Sequence, residues 1–310
     1  MKIARRAFLG LAAGLPFAAR AAEPLKLHAG APGGTFLPYG RGLAGLLDAA
    51  GTGPVTVLES AGSNANLIAV DADPSALGLA LHPAVRDAAR GEGFSAGLPL
   101  RNVRALFAAY RTTYQLAARR DGPARILDLD GKRVGVGPAG GADAALFQSI
   151  SMELFVRAIP VTGTVAQLAE ALEGGRIDAL WVGALSPIPA IAELSERIGA
   201  RVFGLSAWEI ARLVDRNDLM APSLVPAGTY RGQSVPLATV ASWNLVVAHK
   251  DLPEARAAAI LGAVFANPDA AARIHPAASG LRASDSGAIR GIPFHPGAAR
   301  FLRDAGVALR

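Results

Sequence analysis

The sequence contains no cysteine, and this absence excludes several kinds of protein. It rules out a disulfide framework, a thiolate metal site, a nucleophilic cysteine and a lipid-attachment cysteine after a signal peptide. Aromatic residues make up only 6% of the chain, and the lysines and arginines are scattered. Because a nucleic-acid surface combines clustered basic residues with interleaved aromatics, we expect no nucleic-acid partner.

Acidic residues are absent from the first 22 positions, which hold four basic residues. The formal charge of +6 therefore falls to about +2 when this stretch is left out. The whole chain of 310 residues is 51% apolar, enough for a large core and, by length, about two domains.

The same stretch has the features of an export signal. A positive start is followed by an apolar run at 8–19 and by the small-x-small site Ala19-Arg20-Ala21. We interpret residues 1–21 as a signal peptide and expect a soluble protein of the periplasm. The pair Arg5-Arg6 resembles a twin-arginine signal, but the flanking Ser/Thr and Lys of that pattern are missing, so ordinary secretion stays open.

A glycine-rich stretch at 29–40 organises the rest of the chain. It follows a short apolar run at 25–28, and it contains Gly33-Gly34-Thr35-Phe36. The apolar residues from Phe36 onward recur at helical spacing, which predicts a strand, a turn and a helix with Thr35 at its N-cap. Free N–H groups at such a helix start attract anions, although the turn could also be a plain connection.

Two later stretches repeat this pattern. In the first, residues 59–66, we expect Ser63 to be the N-cap. In the second, a formal G-x-G-x-x-G runs from Gly135 to Gly140, but the next predicted strand lacks the acidic residue that a dinucleotide site needs. Strands and helices alternate along the chain, which favours an α/β fold with parallel strands.

The sequence shows no catalytic constellation. Its five histidines lie far apart, and no nucleophile elbow or paired zinc motif is present. Two residues could reach a cleft. Arg111, in an expected loop between strands at 103–108 and 114–118, is either a carboxylate partner or an exposed arginine, and Trp181, at a strand end, either lines the cleft or packs in the core. Asp143 is either a favourable helix cap or, if it faces the cleft, a group that repels a carboxylate.

Several ordered motifs resemble the TAXI class of TRAP-transporter solute receptors. These are residues 33–40, 59–63 with Asn66, 128–134, 137–140, 175–179 and 294–298, so the resemblance covers nearly the whole chain after the signal. It implies a two-lobed type II periplasmic binding protein with a hinged cleft, which passes a small organic anion such as a carboxylate, an amino acid or a dicarboxylate to a TRAP-type membrane permease.

The resemblance also implies a ligand site formed by the three turns. The candidate residues are Gly34, Thr35 and Phe36 from the first turn, Gly62, Ser63 and Asn66 from the second, and Pro138, Ala139, Gly140 and Gly141 from the third, with Arg111 and Trp181 added from the reasoning above. The family usually continues its third turn with Ser-Gly-Thr, where this chain has Gly141-Ala142-Asp143. This difference leads to the hypothesis of a less acidic, more apolar or larger ligand.

We therefore expect an α/β protein of two lobes, each a mainly parallel sheet flanked by helices. Lobe one is predicted at residues 22–118 plus 243–310, and lobe two at 119–242. We expect a monomer that is not an enzyme and has no cofactor and no metal. The alternatives are a binding protein that feeds a sensor or another transporter class and, as a weaker candidate, an enzyme on the same scaffold.

Overall fold

The computed structural model describes residues 23–266 and 268–309 and has an α/β fold with one curled sheet. The predicted signal peptide, residues 1–21, lies outside the described residues. The strands of the described ranges are β1 (Leu25–His28), β2 (Val55–Leu58), β3 (Ala76–Leu81), β4 (Val103–Ala118), β5 (Arg133–Gly135), β6 (Ile159–Val161), β7 (Ala179–Ala184), β8 (Arg201–Phe203), β9 (Met220–Val225) and β10 (Leu237–His249).

Helices follow most of these strands in the chain. The α-helices are α1 (Phe36–Ala49), α2 (Ser63–Ala72), α3 (His82–Arg90), α4 (Ala142–Glu153), α5 (Val165–Glu173), α6 (Pro189–Ile198), α7 (Ala207–Arg216), α8 (Glu254–Phe265), α9 (Pro268–Ile274) and α10 (Pro296–Asp304). Short 3-10 helices lie at Gly93–Ser95, Ile126–Leu129, Pro276–Ala278 and Ala283–Ala288. No helix in the described ranges has both the length and the apolar character needed to cross a membrane.

The sheet contains two groups of parallel strands. Its order is β2-β1-β3-β10-β4-β7-β5-β6, with β9 beside β10 and β8 beside β4. Strand β1 pairs in parallel with β2 and β3, and β5 pairs in parallel with β6 and β7. The antiparallel strands β10 and β4 join the two groups. The two expected sheets are thus the two ends of one continuous sheet.

The long strands β4 and β10 each run through both halves of the molecule. The first part of β4 pairs with β10, and its last part pairs with β7 and β8. The predicted loop at 110–113 is therefore wrong, because these residues pair with β10, as in the pairs Tyr110–Asn244 and Thr113–Ala241. The exact lobe boundaries stay a prediction.

The predicted helix starts are confirmed in outline, with one correction. Thr35 is the N-cap of α1, although its side chain caps no backbone N–H. Ser63 is not the N-cap of α2, because Gly62 occupies that position and Ser63 is the first helical residue. Thr164 caps α5 in a reciprocal pair with Gln167.

Apolar side chains fill the space on both sides of the sheet. Around the first parallel group, residues such as Leu27, Leu43 and Leu79 form one buried cluster with α1 and α8. A second cluster continues across β4 and β10 to α4 and includes Phe147 and Trp181. Burial of this kind is the main source of stability in a chain without disulfides.

Candidate functional site

A cavity of about 690 Å³ lies between the two groups of parallel strands. Its walls come from the turns that follow β1, β2 and β5, because the carboxyl ends of parallel strands meet at one edge of a sheet. Its lining consists of residues 30–36, 61–63, Leu81, Tyr110, Thr112, Pro138, residues 141–143 and 164–166, Ala169, Glu170, Gly183, Pro189, Ala190, Glu193, Arg197 and Asn244.

The turn after β1 forms one wall. Gly33 has a φ of 89°, a conformation that residues with a Cβ rarely adopt, and it allows the chain to turn directly into α1. Thr35 faces the phenol of Tyr110. The first N–H groups of α1 have no partner within the helix, so this wall offers hydrogen-bond donors to a ligand.

The turn after β2 adds a second set of donors. Gly62 has a φ of 108° and leads into α2. The buried Ser63 hydroxyl accepts a hydrogen bond of 3.0 Å from the Leu81 N–H. Since this bond uses only the oxygen, the Ser63 hydroxyl hydrogen can still be donated into the cavity.

The floor of the cavity is formed where β4 and β10 cross between the two halves. Asn244 is fully buried there, and its Nδ2 donates to the Tyr110 carbonyl at 3.1 Å and to the Thr112 hydroxyl at 2.7 Å. Its Oδ1 is buried and has no hydrogen-bond partner. Among the described residues this acceptor therefore has no donor, and it has no accessible surface toward the cavity.

The start of α4 forms the opposite wall and carries Asp143. The Oδ1 atom of this carboxylate is enclosed and has no hydrogen-bond partner among the described residues. Burial raises the pKa of Asp143 to about 7, and its charge helps raise the pKa of Tyr110 and Tyr114, after their own burial, well above the ordinary value. Asp143 is thus near its titration midpoint at neutral pH, whereas both phenols are neutral.

Acidic groups outnumber basic groups in the lining. Asp143, Glu170 and Glu193 are acidic, and Arg197 is the basic lining residue. Arg197 already donates to Glu173 at 2.7 Å. Among the described residues, no group of three or more histidine and carboxylate side chains is placed to hold a metal ion. Side-chain charge therefore does not favour an anion, and any carboxylate in this cavity depends on N–H donors.

A model of the NMT1-like family matches residues 27–306. The chain belongs to the NMT1-like family.

Solved structures with this fold include a periplasmic binding protein. MatC of Rhodopseudomonas palustris with bound malate is 15% identical, with a TM-score of 0.57, and the match covers 91% of this chain and 95% of that chain. R. palustris Rpa4515 with adipate is 18% identical, with a TM-score of 0.53 and coverage of 78% and 82%. The periplasmic binding protein BugD is 16% identical, with a TM-score of 0.52 and coverage of 93% and 99%. This NMT1-like protein thus has the two-lobed type II periplasmic binding protein fold.

The cavity of the NMT1-like protein brings together seven of the twelve residues predicted from the sequence. They come from all three turns: Gly34, Thr35, Phe36, Gly62, Ser63, Pro138 and Gly141. The strand–turn–helix pattern found them because it places each turn at the same edge of the sheet. Their contact with a ligand stays a prediction.

The other five predicted residues do not line the cavity. Arg111 is on β4 and exposed, and its guanidinium lies 4.8 Å from the centre of the Trp243 ring. Side chains alternate along a strand, so Tyr110 and Thr112 face the cavity and Arg111 between them faces away. Trp181 is buried, with its ring stacked 5.0 Å from that of Tyr114.

Three residues of the predicted turns also lie outside the lining. Asn66 is fully buried, and its Nδ2 donates to the Ala29 carbonyl and, at 2.7 Å, to the Leu79 carbonyl. Ala139 and Gly140 are exposed on the third turn. A role in binding for these residues stays a prediction.

Sequence reasoning missed the residues of the floor and of α5 and α6. Thr112, Glu170, Glu193, Arg197 and Asn244 all line the cavity. Only Asn244 left a signal in the sequence, as the single amide within the apolar run from Trp243 to Val247.

Proposed function

We propose that this protein is an extracytoplasmic solute-binding protein that captures a small organic acid in the cavity between its lobes. One observation carries the proposal. The cavity is enclosed by helix starts from both halves, which supply N–H donors without a catalytic set of side chains. Its volume of about 690 Å³ falls within the usual range for small-molecule sites.

The solved structures with the same fold support an acidic ligand. MatC is bound to malate and Rpa4515 to adipate, both small organic acids. In this chain the carboxylate would lie against the N–H groups after β1 and β2, where Thr35 and Ser63 add hydroxyl donors. Candidate contributors from the third turn are Pro138 and Gly141.

A thermal-shift screen of the protein lacking residues 1–21 tests the proposal. Ligands are small mono- and dicarboxylates and amino acids, with neutral metabolites as a comparison. A ligand at a hundred times its Kd adds about 2.7 kcal/mol of stability and raises the melting temperature clearly. A hit is then titrated calorimetrically against Thr35→Ala and against Thr56→Ala, an exposed threonine on β2 outside the cavity.

We expect Thr35→Ala to weaken binding about tenfold, the usual effect of losing one hydrogen bond to a charged group. Thr56→Ala is the control and should bind like the unaltered protein. If no organic acid raises the melting temperature of the folded protein, the proposed function is wrong.

The partner that we propose is a TRAP-type membrane permease, as the TAXI resemblance implies. In this proposal the protein is a periplasmic monomer of two lobes, one formed by residues 22–118 and 243–310 and the other by residues 119–242. The lobes would close on the ligand by bending at β4 and β10, and the closed form would dock on the permease. Uptake of labelled ligand by cells with and without the cognate permease gene tests this partner. Uptake that needs the binding protein but not the permease would point to another transporter class.

A further inference from the structure

The cavity continues from the floor into a groove between α5 and α6. Both helices begin at the cavity edge of the sheet, where Thr164 and Pro189 belong to the lining. The helices pack together through a buried cluster that includes Leu168 and Ile191. The lining follows α6 as far as Arg197 in its last turn, about 12 Å from Pro189 along the helix axis.

The part of this groove nearest the sheet has an apolar surface. Five residues line it, and we call them the apolar groove: Val165, Ala166, Ala169, Pro189 and Ala190. Ala166 and Pro189 are exposed, and Val165 and Ala190 are half-buried, so their surfaces are accessible from the cavity. Three of the five are alanines, whose side chains end at Cβ and leave space between the helices.

The starts of α5 and α6 have fewer free backbone donors than the starts of α1 and α2. In α5 the Gln167 N–H donates to Thr164 Oγ1 at 3.2 Å, and the Thr164 N–H donates to Gln167 Oε1 at 2.9 Å. Pro189 at the start of α6 has no N–H, and the Ile188 N–H donates to the Tyr230 hydroxyl at 2.8 Å. The N-cap residues of α1 and α2 make no such side-chain bonds. A carboxylate is therefore better placed at α1 and α2 than at the groove.

Side-chain charge also disfavours a second carboxylate in the groove. Such a group would lie toward Glu170 and Glu193, and Arg197 is already paired with Glu173 at 2.7 Å. An apolar chain in the same place would lose water without leaving a polar group unpaired. The cavity of about 690 Å³ lies in the range of sites that enclose drug-sized ligands, so it has room for such a chain beside the carboxylate.

We infer that the ligand is a monocarboxylate with an apolar tail, whose carboxylate lies at the turns after β1 and β2 while the tail lies in the apolar groove. The inference rests on the proposed function and narrows it, because it names the class of acid and places the second end of the molecule. Ala166 of α5 and Ala190 of α6 are then residues that determine specificity, since their small side chains leave the space that the tail occupies.

Calorimetric titration with straight-chain monocarboxylates from butanoate to octanoate tests this inference. Dicarboxylates and amino acids with the same numbers of carbons are compared with them. The proteins are the unaltered chain, Ala166→Gln, Ala190→Gln and Ala145→Gln. Ala145 is the control, since it is an exposed residue of α4 outside the cavity. Glutamine is uncharged and forms helices well, and melting of each variant without ligand shows that it is folded.

We expect the Kd of the unaltered protein to fall about fourfold for each methylene added between butanoate and hexanoate, because each buried methylene removes a similar apolar area from water. The heat-capacity change of binding should become more negative along the series for the same reason. Ala166→Gln and Ala190→Gln should each weaken octanoate binding by about tenfold and leave butanoate binding unchanged, because a polar side chain would then occupy the groove. Ala145→Gln should bind the whole series like the unaltered protein.

Two results overturn the inference while leaving the proposed function in place. One is tighter binding of a dicarboxylate or an amino acid than of every monocarboxylate by the unaltered protein. The other is a dependence on chain length that is absent from the unaltered protein or that both groove variants keep in full. A third result, in which no acid of any class binds the folded chain, refutes the proposed function and the inference with it.

Discussion

Replacing Asp143 with asparagine should make the protein without ligand more stable at pH 8. Burial raises the pKa of this carboxyl from 3.8 to about 7. Between these two values the folded protein keeps a proton that the unfolded chain has lost, so the free energy of unfolding falls as the pH rises from about 4 to about 7. Asparagine does not titrate, and the variant should lack this fall.

The size of the effect follows from the pKa change. Each unit by which the pKa rises on folding corresponds to about 1.4 kcal/mol. A rise of three pKa units therefore lowers the free energy of unfolding by about 4 kcal/mol above pH 7. Water entering the cavity and the favourable position of a carboxylate at a helix start both reduce this figure, the latter by about 0.5 kcal/mol. We expect Asp143→Asn to exceed the unaltered protein by about 2 to 3 kcal/mol at pH 8 and to equal it at pH 4.

Urea unfolding followed by circular dichroism at pH 4, 5, 6, 7 and 8 measures this difference. Burial lowers the pKa of His82 to about 4, and this residue is present in both proteins, so its contribution cancels in the difference. Tyr110 and Tyr114 titrate far above this range. Glu153→Gln is the control for the loss of one charge on α4. A constant difference between the two proteins from pH 4 to pH 8 would refute the reasoning, because Asp143 would then be solvated.

Three further substitutions, the first with a matched control, test the packing and the cleft. Gly42→Ala should lower the free energy of urea unfolding by about 2 to 3 kcal/mol, because a Cβ there would lie 1.8 Å from the Ile274 carbonyl oxygen. Gly45→Ala, on the same helix, is the control. Its Cβ would meet nothing within 4 Å, and it should raise the free energy of unfolding by about 0.5 kcal/mol. Asn66→Ala should lower the free energy of unfolding by about 2 to 4 kcal/mol, since two carbonyls lose their donor. The folded variant should still bind ligand. A variant with unchanged stability that no longer binds ligand would contradict this. Asn64→Ala removes the hydrogen bond that Asn64 donates to the Gly140 carbonyl between the second and third turns. Without ligand, this variant should therefore have a larger radius of gyration by small-angle X-ray scattering. An unchanged radius of gyration would show that this bond does not hold the two turns together.

The repeated strand–turn–helix units could be predicted because their signals are local. Apolar residues at helical spacing fix α1, and the glycines before it mark the turn. Parallel pairing then places separate turns at one edge of the sheet, which is why seven of the predicted residues line the cavity. The family resemblance pointed to the same turns, and the match to the NMT1-like family covers nearly the same length of chain.

The crossing between the halves could not be predicted, because it depends on long-range pairing. The polar residues from Arg111 to Thr113 have the composition of a loop, yet their extended conformation is held by β10, about 130 positions further along the chain. Ser63 and Asn66 raise the same difficulty. Their polar side chains are typical of a ligand turn, but each also bonds a backbone group of β3, which sequence position does not reveal.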